Sequence, residues 1–145
     1  MLLHVIARGK IGRLPEAEMV ERYARRLASG PIGPLRTTEL PDRGGTMPPL
    51  PPGGVRNVVL DERGGTMAST ALAQVLERWR DQGVREVRFL IGAADGHEQA
   101  LRDSADLVLG FGAMTWPHML ARAMLAEQLW RAASIIAGHP YHREG

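Results

Sequence analysis

Five short apolar runs, alternating with stretches of helical periodicity, leave this chain few ways to fold. The runs are residues 2–7 (LLHVIA), 35–40, 55–60 (VRNVVL), 86–91 (EVRFLI) and 107–109. Between them, Pro15 opens an amphipathic stretch over 15–27 with Ala17, Val20, Ala24 and Leu27 on one stripe. A second helix runs from a cap at Ser69 or Thr70 to about residue 82, with Leu72, Val75, Leu76 and Trp79 on its apolar face. A short helix is expected over 98–105 and a long one over 118–137. Strands alternating with helices predict an α/β domain with a mainly parallel sheet flanked by helices. At 145 residues the chain fits one domain, residues 1–145. Residues 41–54 (PDRGGTMPPLPPGG) hold too much Pro and Gly for regular structure and read as a surface loop. The pentapeptide RGGTM occurs at 43–47 and again at 63–67, but the flanking patterns do not match, so the echo is read as coincidence.

The composition is that of a globular protein, with 44% hydrophobic residues. No apolar run approaches the roughly 20 residues of a membrane helix. The opening MLLHVIARGK is too short and too soon polar for a signal peptide, and there is no cysteine for disulfides or thiolate metal sites. A cytoplasmic protein is the expectation. The net charge of +2 does not by itself imply a nucleic-acid partner. Lys10 is the only lysine; the other basic residues are arginines, whose planar fork suits phosphate and stacks on bases. A GC-rich genome accounts for the same bias.

In open α/β sheets ligands bind beyond the carboxyl ends of the strands. Three segments have that placement. One is Leu60-Asp61-Glu62-Arg63-Gly64-Gly65, and another Ile91-Gly92-Ala93-Ala94-Asp95-Gly96. Their glycines either let backbone approach a ligand or simply make turns. The third, Phe111-Gly112-Ala113-Met114-Thr115-Trp116-Pro117-His118, either walls a flat ring or tucks under the last helix. That helix is apolar on more than one face, which predicts burial on two sides and a homodimer. His139 and His142 are three apart, but the intervening Pro140 and the preceding Gly138 prevent one helix from presenting both rings, and no acidic or thiol partner has ligand spacing. No metal site is expected.

In order, these segments resemble those of the ribosomal large-subunit methyltransferase H family, the 23S rRNA (pseudouridine-N3)-methyltransferases of the SPOUT class. The resemblance covers nearly the whole chain and is strongest in LDERGG, FLIGAADG and the run MTWPHMLARAMLAEQLWRAASIIAGHPYHRE. It implies an α/β SPOUT domain with a C-terminal trefoil knot, a topology otherwise almost absent from proteins. It implies S-adenosyl-L-methionine as cofactor, held by Leu60, Gly92 and the loop Phe111, Gly112, Ala113, Met114, Thr115 and Trp116. It implies a homodimer in which His139, Tyr141, His142 and Arg143 of one tail reach the partner's active site. The substrate would be helix 69 of 23S rRNA on the assembled 70S ribosome.

Methyl transfer from a sulfonium requires alignment, exclusion of water and removal of the proton on N3. His142 is the first candidate for the base and Tyr141 the second, with Arg143 placed to hold RNA. Alternatively, the tail binds RNA and solvent takes the proton. This chain departs from the family at Ala93, where a second glycine is usual, and at Gly112, which replaces a common serine. It departs also at Trp116 and Trp130, and in the loop 41–54, which replaces a longer, charged, helix-forming segment. Two rival readings are a methyltransferase of the same class acting on another RNA, and a non-catalytic ribosome-binding protein with a decayed cofactor site. A small Rossmann-type oxidoreductase is poorly served by Arg8-Gly9-Lys10-Ile11-Gly12 after the first strand.

Overall fold

A computed structural model of the chain describes residues 1–92 and 99–143. Five strands alternate with four helices: β1 (Leu2–Arg8), α1 (Pro15–Leu27), β2 (Leu35–Leu40), β3 (Gly54–Gly65), α2 (Ser69–Asp81), β4 (Val84–Ile91), α3 (Gln99–Ser104), β5 (Leu107–Leu109) and α4 (His118–Ala137). The strands form one parallel sheet in the order β2-β1-β4-β3-β5. The expected α/β architecture is therefore present. No described helix is long and apolar enough to cross a membrane.

One sheet face carries Leu3, Val5, Val58, Val87 and Phe89, all buried, and packs on Leu27, Leu72, Leu76, Leu125 and Leu129 of the three larger helices. Full burial of a side chain such as Phe89 contributes about 2–3 kcal/mol. α4 lies over this face in contact with both α1 and α2. No residue from 118 to 136 is fully exposed. This corrects the argument from its two-sided apolarity: α1 and α2 satisfy much of it inside one chain. A second correction concerns α2, whose N-cap is Ala68 with no side-chain capping bond. The Ser69 hydroxyl instead donates to Gln128 on α4 at 2.6 Å.

The opposite face is divided. Register places Arg36, His4, Arg88 and Asn57 side by side across four strands, near their amino ends. Further along, Ile6, Leu40, Val59 and Leu90 form an apolar patch beneath Leu101 and Ala105 of the α3 segment. The Pro/Gly loop crosses the polar half. Arg88 donates to the carbonyls of Pro48 (2.9 Å) and Pro49 (2.6 Å), and Arg8 to those of Pro41 (2.8 Å) and Gly44 (2.7 Å). The loop is thus a strap pinned by its backbone. Beneath it Arg88 pairs with Glu86, and His4 lies between Glu86 (3.3 Å) and the Thr38 hydroxyl (2.7 Å). These contacts fit a neutral ring donating from Nδ1 and accepting at Nε2. Burial pushes the His4 imidazole below its ordinary value, outweighing the pull of Glu86. Burial alone would raise the Glu86 carboxyl, but Arg88 and His4 hold it below the usual range.

The far end of β3 departs from the expected end at residue 60. Leu60 and Gly65 both pair with Leu109, so residues 61–64 bulge out of register and the strand resumes beyond them. There β3 crosses the chain leaving β5 at backbone contact. A Cβ on Gly64 would stand 2.7 Å from the Leu109 carbonyl carbon, and one on Gly110 2.7 Å from the Gly64 oxygen.

Two predictions follow from this packing. Gly64→Ala is expected to cost about 1–3 kcal/mol or more in urea unfolding, because backbone must move, while Gly65→Ala, with open space around it, stays within about 0.5 kcal/mol. Equal effects would remove the crossing as the cause. The second concerns acid. Below pH 6.5 the unfolded chain protonates His4 more readily than the folded one does, so stability falls with pH in that range. The Glu86 contribution is complete above pH 4.5 and is lost below it. His4→Gln is expected to flatten the unfolding midpoint between pH 7 and 5; an unchanged profile would contradict the His4 part.

Candidate active site

The cleft follows from strand register. Leu60 pairs with Ile91 on one side and Leu109 on the other, so three parallel strands end in a row. The chain beyond each end walls one cleft of about 470 Å³. Of the residues expected to hold a cofactor, Leu60, Gly92, Phe111, Gly112, Met114, Thr115 and Trp116 line it together. Ala113 belongs to the same loop without being a wall residue. Ala93, Ala94, Asp95 and Gly96 lie outside the described residues, and with them the glycine departure at position 93.

Local bonds shape the loop. The Trp116 indole donates to the Phe111 carbonyl at 3.2 Å, closing the segment on itself. Gly112 has φ +104°, a backbone conformation in which a side chain would be strained. Thr115 donates to Glu62 at 2.8 Å, joining this loop to the β3 bulge. Met114 and Trp116 are 73% and 41% exposed, an unusual display of apolar surface at a cleft rim.

Sequence reasoning placed the DERGG segment near the ligand without assigning its side chains. The bulge brings Asp61, Glu62 and Arg63 to the wall. Arg102 of α3 pairs with Asp61 at 3.3 Å, both largely shielded, which leaves Glu62 the less compensated carboxylate. His118 also lines the cleft, and its Nδ1 is buried without a partner among the described residues.

The expected catalytic tail lies elsewhere. Gly138, with φ +72°, ends α4 in a left-handed cap, and the His139 N–H returns to the Ser134 carbonyl at 2.8 Å. The chain then folds back on α4. Trp130 meets the rings of His139 (6.1 Å) and Tyr141 (5.9 Å). Arg131 stands over the Tyr141 ring at 5.1 Å and donates to His142 Nδ1 at 3.1 Å. Glu127 accepts from Arg131 and from the Tyr141 hydroxyl at 3.3 Å. His142 Nε2 is buried with no partner among the described residues, and Arg143 is exposed. Trp130 was noted from sequence only as a departure from the family, and Glu127 and Arg131 were not singled out, although their spacing on one helix face next to an aromatic tail was the available signal.

The cleft meets α4 at His118 and Ala121, whereas the tail is anchored at residues 127–131. At 1.5 Å per residue, the nearer points, Ala121 and Glu127, are about 9 Å apart along the helix and the farther ones, His118 and Arg131, about 20 Å. No described tail residue lines the cleft of its own chain. Between them lies an apolar hollow of about 520 Å³, walled by Met19, Met67, Leu72, Phe111 and Met124 with Glu127 at its polar side.

Comparison with known proteins agrees with this architecture. Residues 1–142 match the family model described as "Predicted SPOUT methyltransferase". Three relatives carry the name Ribosomal RNA large subunit methyltransferase H. That of Novosphingobium aromaticivorans is 69% identical over 145 residues, all of both chains. That of Rhizorhabdus wittichii is 63% identical, again over all of both chains. That of Brucella abortus is 42% identical over 168 positions, covering 99% of each. An alignment of 168 positions against a chain of 145 residues leaves at least 23 positions facing gaps.

Burial pushes the Tyr141 phenol up to about 12, with its hydrogen bond to Tyr23 and the Glu127 charge acting in the same direction. Spectrophotometric titration is expected to show ionisation near pH 12 that disappears in Tyr141→Phe. Tyr141 ionising near the ordinary phenol value of 10 would refute the tail packing.

Proposed function

The chain belongs to the SPOUT methyltransferase family, and from that premise we propose that it methylates large-subunit ribosomal RNA with S-adenosyl-L-methionine as donor. The target is N3 of a pseudouridine in helix 69 of 23S rRNA, reached on the assembled ribosome in the cytoplasm. The observation that carries the reading is the convergence of Leu60, Gly92, Phe111, Gly112, Met114, Thr115 and Trp116 on one cleft at the carboxyl ends of the strands. Its chemistry fits the donor. Apolar side chains offer a surface for adenine, main-chain groups offer hydrogen bonds, and Glu62 faces a cationic ligand. The family's C-terminal trefoil knot is the expectation that accompanies membership.

The cofactor supplies an electrophilic methyl group on a positively charged sulfur. The residues of this chain have three tasks: to hold that carbon in line with the attacking nitrogen, to exclude water, and to remove the N3 proton. His142 suits the last better than Tyr141. A phenol held near 12 keeps its proton at neutral pH and acts only as a donor. Because a guanidinium only donates, His142 Nδ1 is the ring's accepting nitrogen and Nε2 carries the ring proton, so Nδ1 is the atom that takes the N3 proton once Arg131 releases it. Leu60, Gly92 and the 111–116 loop would hold the cofactor as it gives its methyl carbon to N3 and leaves as a neutral thioether.

The separation of cleft and tail within one chain supports a homodimer in which each tail serves the partner's cleft. The hollow walled by Met19, Met67 and Met124 offers an apolar surface for that contact. The short 41–54 strap does not favour a decayed, non-catalytic protein, because the Novosphingobium relative aligns over the same 145 residues end to end.

Calorimetric titration with S-adenosylmethionine, with light scattering on the same sample, is expected to show saturable binding by a dimer. Tritium transfer to 70S ribosomes is expected to map to helix 69. No binding at millimolar cofactor would overturn the enzyme reading; transfer to another RNA would overturn the target.

A further inference from the structure

Half of the 18 basic side chains are engaged within the fold as follows. Arg25, Arg80, Arg88, Arg102, Arg122 and Arg131 pair with carboxylates. Arg8 and Arg56 bind carbonyl oxygens, and Arg26 lies over Tyr23. Among those left, Arg63 stands on the wall of the cleft, exposed, and its side chain has no hydrogen-bond or ion-pair partner among the described residues. Its backbone is nevertheless fixed. The Arg63 N–H donates to Asp61 at 2.9 Å, and the next residue, Gly64, is wedged against Leu109 and Gly110.

Lys10 occupies the corresponding place on the other side. It follows Gly9, where an added Cβ would lie 3.4 Å from the ring of His118, a wall residue of the cleft. The exposed Lys10 ammonium lies near Glu39, whose carboxylate is already bound by Arg122 and by the Ile11 N–H at 2.8 Å. The loop that carries it is fastened from below: the buried Arg122 guanidinium donates to the carbonyls of Arg8 (3.1 Å) and Gly9 (2.6 Å). Strand order puts β4, with Gly92 at its end, between the two cations. At about 4.8 Å per strand, the β1 and β3 backbones below them are about 10 Å apart.

We propose that Lys10 and Arg63 grip the RNA backbone on either side of the target base, with Arg122 as the positioning residue for the Lys10 loop. The inference rests on the rRNA reading above. A base entering the cleft brings its flanking phosphates to the rim, where two cations on pinned backbone meet them at little cost in ordering. Phosphate contacts of this kind fix position and carry no sequence information.

The test is binding to 70S ribosomes at fixed magnesium across a potassium chloride series, comparing wild type, K10A/R63A and R78A. Arg78 lies in the last turn of α2, on the connection to the amino end of β4, away from the cleft. Each phosphate contact contributes about 0.7–0.9 to the slope of log K against log salt. The double variant is therefore expected to lower the slope by about 1.5, with thermal midpoint unchanged, while R78A matches wild type. A double variant with the wild-type slope, or an R78A loss as large, overturns this inference and leaves the rRNA reading standing. Wild type that binds cofactor but no ribosomes overturns both.

Discussion

Two backbones cross at Gly64 and Gly110 with no room between them for a methyl group. The cleft depends on that contact. Because Leu60 and Gly65 share Leu109 as partner, the four residues between them must leave the sheet, and they leave it toward the ligand side. The excursion places Asp61, Glu62 and Arg63 on one wall, while the chain departing from β5 past Gly110 builds the other. Thr115 and Glu62 then tie the two walls together. A side chain at either glycine would push the segments apart and open the site at its base, so the requirement for glycine here is one of close approach.

The two sheet faces solve different problems. The helical face is an apolar core under α1, α2 and α4. Among the described residues, the opposite face has the short α3 over its carboxyl half and no helix over the rest. The polar half is closed by a strap that contributes carbonyl oxygens, which Arg8 and Arg88 satisfy. A Pro-rich segment suits this duty: prolines have no N–H to leave unsatisfied, and their carbonyls face arginines whose charge Glu86 balances in part. The relatives whose alignments run longer carry extra residues somewhere in the chain, whereas the Novosphingobium relative has this chain's length.

The sequence was legible where periodicity and strand-end chemistry spoke. The bounds of α1, β2, β5 and α4 agree with the pattern reading, and the described parts of the segments expected to hold a ligand meet at one cleft beyond the strand ends. Long-range pairing was not legible. The bulge at 61–64 arises from a register with β5 over forty residues away, which no local pattern encodes. Ser69 reads as a cap until Gln128 offers a better partner. The breadth of the apolar arc on α4 could not separate a subunit interface from enclosure by α1 and α2, because both leave the same residues apolar. The tail was legible through its motif, but Glu127, Trp130 and Arg131, which hold it, required the fold.

On the reading proposed above, the cleft and the tail, anchored at different stretches of α4, work together across two copies of the chain. Mixing two inactive variants tests this most directly. Thr115→Trp fills the cleft mouth, and Y141A/H142A removes the tail's proton-handling groups. When the two are dissociated and reassociated in equal amounts, half the dimers are mixed, and each mixed dimer holds one intact cleft facing one intact tail. Methyl transfer to 70S ribosomes should recover to about a quarter of the wild-type rate. A mixture as inactive as its components, with both variants folded and dimeric, would contradict a site assembled from two chains.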